Sequence, residues 1–102
     1  MSQSIFTLGE WRAKPGSEQS FVAAWKDLAA IFLKLPQPPA AGVAKLVQSL
    51  AEPTLFYSFG PWPNLAAVQA MRTDPAAQAG IARLRELCTE ARPGSFQVVA
   101  EA

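Results

Sequence analysis

The sequence LFYSFGPWPN (residues 55–64) passes from one kind of structure to another within a short stretch. Its aromatic and aliphatic start is typical of a β-strand. At its end, Asn64 is a good first residue for a helix, because its side-chain oxygen can accept a hydrogen bond from the helix backbone. Between the two, Trp62 is flanked by Pro61 and Pro63, which restrict the backbone on both sides of the indole. The stretch therefore predicts a strand that turns into a helix, with Trp62 held in a narrow range of directions at the corner.

Hydrophobic periodicity on either side of this stretch predicts four strands and two helices. Segments of period two bounded by proline or glycine indicate strands, and an apolar stripe at intervals of three and four indicates each helix. The second helix is broken near Thr73, since Asp74-Pro75 favours a fresh helix start. The predicted order is β-α-β-β-α-β: a strand at Ile5–Arg12, a helix capped by Ser17, a hairpin of Val43–Leu50 and Thr54–Gly60, a helix from Asn64 that Pro93-Gly94 closes, and a strand at Ser95–Glu101.

This order matches the ferredoxin-like α+β arrangement, in which helices cover one face of an antiparallel sheet. Both faces of the predicted sheet are apolar, however. Phe56 lies on one side of the third strand, and Tyr57 and Phe59 lie on the other. An apolar sheet face left in water is typical of an interface. We therefore expect a homodimer whose two sheets face each other, which would make a dimeric α+β barrel.

Length and charge narrow the range of partners. The chain of 102 residues suits a single domain over residues 1–102. Nine Lys+Arg and eight Asp+Glu are scattered along it, so neither nucleic acid nor an anionic membrane is expected as a partner. The N-terminal stretch has no leader pattern, and no run of ~18 apolar residues occurs. These features predict a soluble cytoplasmic protein.

The absence of histidine from the sequence is the most informative feature of its composition. It excludes the triads, zinc sites and haem sites that need an imidazole as base or ligand. Cys88 is the only cysteine, and it fits a small buried hydrophobe on the inner face of the last helix. The acidic residues are isolated and show no ligand spacing. We therefore expect neither a metal nor another cofactor.

Several segments of the chain resemble the antibiotic biosynthesis monooxygenase family. They read EWRAKPGSEQSFVAAW (10–25), FGPW (59–62), NLAAVQAMRTDP (64–75), GIARLREL (80–87) and FQVVAEA (96–102). The resemblance implies a ferredoxin-like protomer that dimerises into an α+β barrel, with a pocket between helices and sheet. It also implies oxidation of an electron-rich aromatic or enolic compound by O2, in which the deprotonated substrate supplies electrons that a cofactor would otherwise provide.

One branch of this family degrades haem with an axial histidine in the second helical region and an asparagine beside the pocket. The corresponding region of this chain, Thr73–Gln78, contains no imidazole. The first strand contains no asparagine either. Haem degradation is therefore not expected.

The resemblance makes Trp11, Tyr57, Trp62, Asn64 and Arg72 the candidates for contact with a small apolar or aromatic ligand. Each has a purely structural interpretation as well. Trp62 could seal the end of a small core, and Asn64 is explained as a helix cap. Arg72 is favoured near the C-terminal end of its helix. Tyr57 could be a core tyrosine with a local partner.

Trp11 follows Gly9 on the same side of the first strand. The missing side chain of Gly9 could leave room for a ligand, or could mark a bulge or close packing. Trp25 lies in the apolar stripe of the first helix and is expected in the core. No set of residues forms a catalytic constellation, so no catalytic residue is assigned.

Three classes of function remain open. The first is a cofactor-independent monooxygenase, the second a non-catalytic dimer that binds a small apolar ligand, and the third an interaction module. Consumption of oxygen with a phenolic compound would separate the first class from the second. A persistent protein partner and a fully packed protomer would favour the third.

Overall fold

Four strands and three helices make up the fold of residues 5–102, the part of the chain that this computed structural model describes. Residues 1–4, on which the prediction about a leader partly rests, lie outside the described part. The strands form one antiparallel sheet in the order β2-β3-β1-β4, so the predicted ferredoxin-like α+β fold is confirmed. In chain order the elements are β1 (Ile5–Ala13), α1 (Glu18–Phe32), β2 (Lys45–Gln48), β3 (Leu55–Trp62), α2 (Leu65–Thr73), α3 (Pro75–Glu86) and β4 (Cys88–Gln97).

Strand β3 runs further than the sequence predicts, through Pro61 to Trp62. Proline removes a backbone donor and is therefore confined to places where a strand lacks a neighbour on one side. Strand β2 pairs with β3 only as far as Phe59, so at Pro61 the single partner of β3 is β1. Trp62, at this end of β3, lies on the inner face of the sheet, where the helices pack.

Side-chain caps set the boundaries of α2 and α3. The Asn64 side chain accepts a hydrogen bond from the backbone N–H of Ala67 at 2.8 Å. Asp74 ends α2 and begins α3, where its carboxylate accepts from the N–H of Ala77 at 2.9 Å, so the predicted break is confirmed. The predicted cap of α1 is wrong in detail: Ser17 occupies the N-cap position but makes no side-chain cap hydrogen bond. Within residues 5–102, no helix combines the length and apolar character that a membrane crossing requires.

The last strand begins earlier than predicted. Helix α3 ends at Glu86 and β4 spans Cys88–Gln97, so the prediction that Pro93-Gly94 closes the helix is wrong. The strand predicted at Ser95–Glu101 covers only the last part of β4. Because β4 lies at the sheet edge with β1 as its single neighbour, a proline within it is tolerated. Cys88 accordingly lies in a strand rather than on a helix.

Two clusters of buried side chains pack between the helices and the inner face of the sheet. One cluster centres on Phe21 of α1, whose ring centroid lies 5.8 Å from that of Trp11 and 4.9 Å from that of Phe56. The other cluster packs α2 against the end of β3; its buried members are Ile5, Leu35, Trp62, Ala67, Val68, Met71 and Ala77. Aromatic contacts of this kind add to the stabilisation that burial of apolar area provides.

The opposite face of the sheet carries large apolar side chains that remain in contact with solvent. Strand register places Leu8 beside Phe59 and Val47 beside Tyr57 on this outer face. These four side chains and Phe96 are between 38% and 54% exposed. The sequence-based expectation that both faces are apolar is therefore met, and in residues 5–102 only the inner face is buried.

Two leucines test the packing of α3 directly. Leu84 is fully buried, whereas Leu50, in the loop between β2 and β3, is 105% exposed. Leu84→Ala should lower the free energy of unfolding by about 2–5 kcal/mol, because it removes methyl groups from a filled core. The matched change Leu50→Ala should alter it by less than about 0.5 kcal/mol. Urea unfolding followed by circular dichroism measures both, and equal losses would contradict this placement of α3.

Candidate small-molecule site

A cleft with two lobes lies between the helices and the inner face of the sheet. The larger lobe has a volume of about 390 Å³ and the smaller one about 90 Å³. The lobes adjoin, since residues of β1, β3 and α1 line both. The larger volume falls within the range of small-molecule pockets, ~300–1,000 Å³. The shared wall consists of Thr7, Trp25, Leu28, Phe32 and Ser58.

Trp11 forms part of the wall of the larger lobe by lying across Gly9. A Cβ atom on Gly9 would come within 2.7 Å of Cε2 and 2.8 Å of Cζ2 of the indole, so the ring needs glycine at this position. From there the Trp11 Nε1–H donates to the Oγ of Ser58, the cross-strand partner of Gly9, at 2.9 Å. Trp11 therefore packs closely against Gly9, as one of the two interpretations of this glycine expects, and Gly9 also lines the larger lobe.

Trp62 forms part of the wall of the smaller lobe. It is only 6% exposed, and Phe32 meets its ring edge-on at a centroid distance of 5.2 Å. Its Nε1–H donates to the Oγ1 of Thr7 at 2.9 Å. The structural interpretation of Trp62 as a packed corner and its place at a cavity wall are thus compatible, because one side of the ring packs while the cleft lies beside it.

The two indole hydrogen bonds leave two hydroxyl donors in the cleft. Thr7 and Ser58 each use oxygen to accept an indole N–H, and within residues 5–102 neither hydroxyl donates a hydrogen bond. A hydroxyl group carries one donor as well as acceptor capacity. Accepting a hydrogen bond also polarises the group and strengthens it as a donor. Since both side chains line both lobes, the cleft can offer two O–H donors to an oxygen atom of a ligand.

The charged side chains at the larger lobe are all positive. Arg72 in the last turn of α2 and Arg85 in the last turn of α3 line it, and no acidic residue of the described chain does. The guanidinium of Arg72 donates to the hydroxyl of Ser95 in β4. Neither arginine forms an ion pair among residues 5–102. The lobe is therefore apolar with a positive rim.

Two of the predicted ligand contacts lie elsewhere. Tyr57 is on the outer face of the sheet, where its hydroxyl donates to the Glu10 carboxylate at 3.2 Å, and the negative charge of Glu10 raises the pKa of Tyr57. Asn64 caps α2 and donates to the side chain of Gln37 at 3.1 Å. Neither residue lines the cleft. The structure thus brings Trp11, Trp62 and Arg72 to the cleft, and their contact with a ligand stays a prediction.

Sequence reasoning missed three polar residues of the cleft: Thr7, Ser58 and Arg85. Ser58 carried a signal, because it places a hydroxyl on the strand face that also carries Phe56 and Trp62. Thr7 shares its strand face with Trp11, but the hydrogen bond that it accepts from Trp62 depends on the register of β1 and β3. Trp25, expected in the core, is half-buried and lines both lobes.

The cleft offers donors and positive charge but no base. No carboxylate or lysine lines either lobe in the described part of the chain, and the sequence has no histidine. Cys88 is buried outside the cleft, and burial raises the pKa of its thiol, which keeps it protonated near neutral pH. Residues 5–102 also contain no group of three or more His, Cys, Asp and Glu that could hold a metal ion. The arrangement can therefore bind and stabilise an anion, and does not itself remove a proton.

Gly9→Ala tests whether Trp11 depends on the bare backbone beneath it. The added methyl group must displace the indole, so the free energy of unfolding should fall by about 1–3 kcal/mol, as for other overpacked sites. In a Trp11→Leu background the same change should cost much less, because the indole it clashes with is gone. Urea unfolding of the four proteins in this double-mutant cycle measures the coupling. Equal costs of Gly9→Ala in both backgrounds would contradict the arrangement.

Solved structures share this fold over nearly the whole chain. A variant of SnoaB, a cofactor-independent oxygenase from Streptomyces nogalater, has a TM-score of 0.85 at 16% identity, over 98% of this chain and 97% of that one. A conserved protein from Methanosarcina mazei Go1 has a TM-score of 0.78 at 17% identity, over 92% of this chain and 91% of that one. An antibiotic biosynthesis monooxygenase has a TM-score of 0.75 at 13% identity, over 96% and 99%.

Comparison by sequence gives no further relatives. No protein-family model matches the chain, and no curated protein matches it. At identities of 13–17%, these three structural likenesses concern the fold. The chain therefore has the ferredoxin-like fold of the antibiotic biosynthesis monooxygenases, and the resemblance noted in the sequence is confirmed at that level.

Proposed function

We propose that this protein is a cofactor-independent monooxygenase that oxidises an electron-rich aromatic or enolic small molecule with O2. The observation that carries the proposal is the pair of indole-bound hydroxyls in an apolar cleft, Thr7 beside Trp62 and Ser58 beside Trp11. Such a site suits a flat aromatic ligand with an oxygen atom that bears negative charge. The fold shared with SnoaB, a cofactor-independent oxygenase, supports the same activity.

The chemistry needs little from the protein beyond binding and electrostatics. An ionised phenol or enol is electron-rich enough to reduce O2 when its negative charge is held in place. In the net reaction a CH₂ group of the substrate and O2 give a C=O group and water, so the substrate supplies all four electrons. The hydroxyls of Thr7 and Ser58 would stabilise the substrate oxyanion, while Trp11, Trp62 and Phe32 limit the access of water.

Because no carboxylate or lysine of residues 5–102 lines the cleft, the substrate is expected to lose its proton to solvent. The hydroxyl donors and the nearby arginines favour the ionised form of the substrate, and so lower its pKa in the complex. The rate should therefore rise with pH and level off above the pKa of the bound substrate. No decline of the rate at higher pH from ionisation of a catalytic acid is expected, since no acidic side chain among the described residues lines the cleft.

Oxygen uptake with hydroxylated anthrones measures this activity directly. Ser58→Ala should lower kcat by about 10²-fold, the usual effect of removing one oxyanion donor. Ser20→Ala, an equal change on an exposed turn of α1, should leave kcat unchanged. An unchanged kcat in Ser58→Ala would contradict the role given to the hydroxyl. Saturable tryptophan quenching by anthrones without oxygen uptake would instead support a non-catalytic binding protein of the same fold.

We also propose that two copies of the chain associate through the outer face of the sheet. Exposed Leu8, Val47, Tyr57, Phe59 and Phe96 support this, because burial of such a face against a second sheet removes apolar area from water. Strands β2 and β4 also leave sheet edges open within one chain. Most of the cleft lining belongs to the opposite face, and of the outer-face residues named above Leu8 and Phe59 also border it, so association would leave most of the lining uncovered.

Val47→Glu tests the dimer, because a carboxylate within the sheet-to-sheet contact would be desolvated without a partner. Leu65→Glu is the matched control: Leu65 is 51% exposed against 44% for Val47, but it lies on the helical layer. Light scattering at micromolar concentration should give the mass of two chains for the wild type and the control, and of one chain for Val47→Glu. A wild-type mass of one chain would contradict the proposal.

A further inference from the structure

We infer that the larger lobe binds an aromatic acid, whose rings lie against the indoles of Trp11 and Trp25 and whose ionised acid group is held by Arg72 and Arg85. The inference rests on the proposed function for the fate of this ligand, and it adds the chemical class of substrate. An aromatic ring system carrying a carboxylate would meet apolar walls and positive charge in the same lobe.

The positive rim is the first observation behind this inference. Arg72 and Arg85 come from different helices, yet both line the larger lobe, where no acidic side chain of residues 5–102 accompanies them. Each arginine lies in the last turn of its helix, where the helix dipole favours a cation. That preference explains an arginine at either helix end, but not the convergence of two on one cavity. A ligand carboxylate would provide a counter-charge that no described residue of the lobe supplies.

The second observation is that Arg72 is already oriented. Its guanidinium donates to the Ser95 hydroxyl, which ties the last turn of α2 to β4. A guanidinium carries five N–H donors, so the remaining donors can still bind a carboxylate, in the two-bond geometry that arginine favours. Because Arg72 is held before the ligand arrives, less side-chain freedom is lost on binding.

The third observation is the distribution of polar groups in the lobe. Apart from the arginines, its polar side chains are the hydroxyls of Thr7 and Ser58, and the rest of the wall is apolar, including Trp11, Trp25, Leu28, Phe32, Met71 and Ile81. A ligand that satisfies both sets of donors carries an acid group and a separate oxygen atom attached to its ring system. Arg72 and Arg85 are both exposed, so a neutral aromatic compound would leave their charges to solvent and gain no charged hydrogen bond from them.

A matched pair of compounds tests this class of ligand: anthraquinone-2-carboxylate and its methyl ester. In tryptophan-fluorescence titrations the acid should bind at least about tenfold more tightly than the ester, as expected when charged hydrogen bonds are gained. Arg72→Gln and Arg85→Gln should each reduce this preference. Arg83→Gln should not, because Arg83 lies on the same helix as Arg85 but contacts Glu86 and does not line the cleft. Added salt should weaken the preference.

The outcomes separate this inference from the proposed function. Equal affinity for acid and ester, or a preference that survives both cleft substitutions, would overturn the anion site. Oxygen uptake with neutral anthrones would then still support the monooxygenase. If Arg85→Gln abolishes the preference for the acid, the anion site is supported whatever the oxygen uptake. If neither neutral nor acidic anthrones consume oxygen, the monooxygenase proposal is contradicted. Failure of the acid to bind would overturn the inference.

Discussion

The contact between Trp11 and the bare backbone of Gly9 underlies both the core and the cleft. With no Cβ beneath it, the indole lies across β1 and reaches the hydroxyl of Ser58 on β3. The same ring contacts Phe21, the centre of the first core cluster. A buried indole N–H needs an acceptor, and this acceptor is a residue of the cleft. The same contacts of Trp11 therefore pack the core and position a hydroxyl group of the site.

The sheet separates two kinds of surface. Its inner face carries the helices, the two core clusters and the cleft, and its outer face carries exposed aromatic and aliphatic side chains. Strict alternation along β1 and β3 produces this division, since neighbouring residues point to opposite faces. Tyr57 and Ser58 are the clearest case: one bonds Glu10 on the outer face, and the other accepts the Trp11 indole on the inner face.

Much of the fold could be predicted from local chemistry, because strand periodicity, the Asn64 cap and the Asp74-Pro75 break act over a few residues. The start of β4 could not be predicted, since Pro93-Gly94 is typical of a turn that ends a helix, and a proline is tolerated within a strand only at a sheet edge. For the site, the sequence predicts the indoles of Trp11 and Trp62 but not the hydroxyl groups that accept their hydrogen bonds. Trp11 and Ser58 are 47 residues apart and Trp62 and Thr7 are 55 apart, so their contacts depend on register.

A crystal structure of the protein with a bound hydroxyanthraquinone tests the central claim most directly: that this cleft presents two indole-held hydroxyls to an aromatic ligand. The account predicts the ring system between α1 and the inner face of the sheet, with a ligand oxygen within about 3.2 Å of the hydroxyl of Thr7 or Ser58. A ligand bound on the outer face, or in the cleft with both hydroxyls turned away from its oxygen atoms, would contradict it.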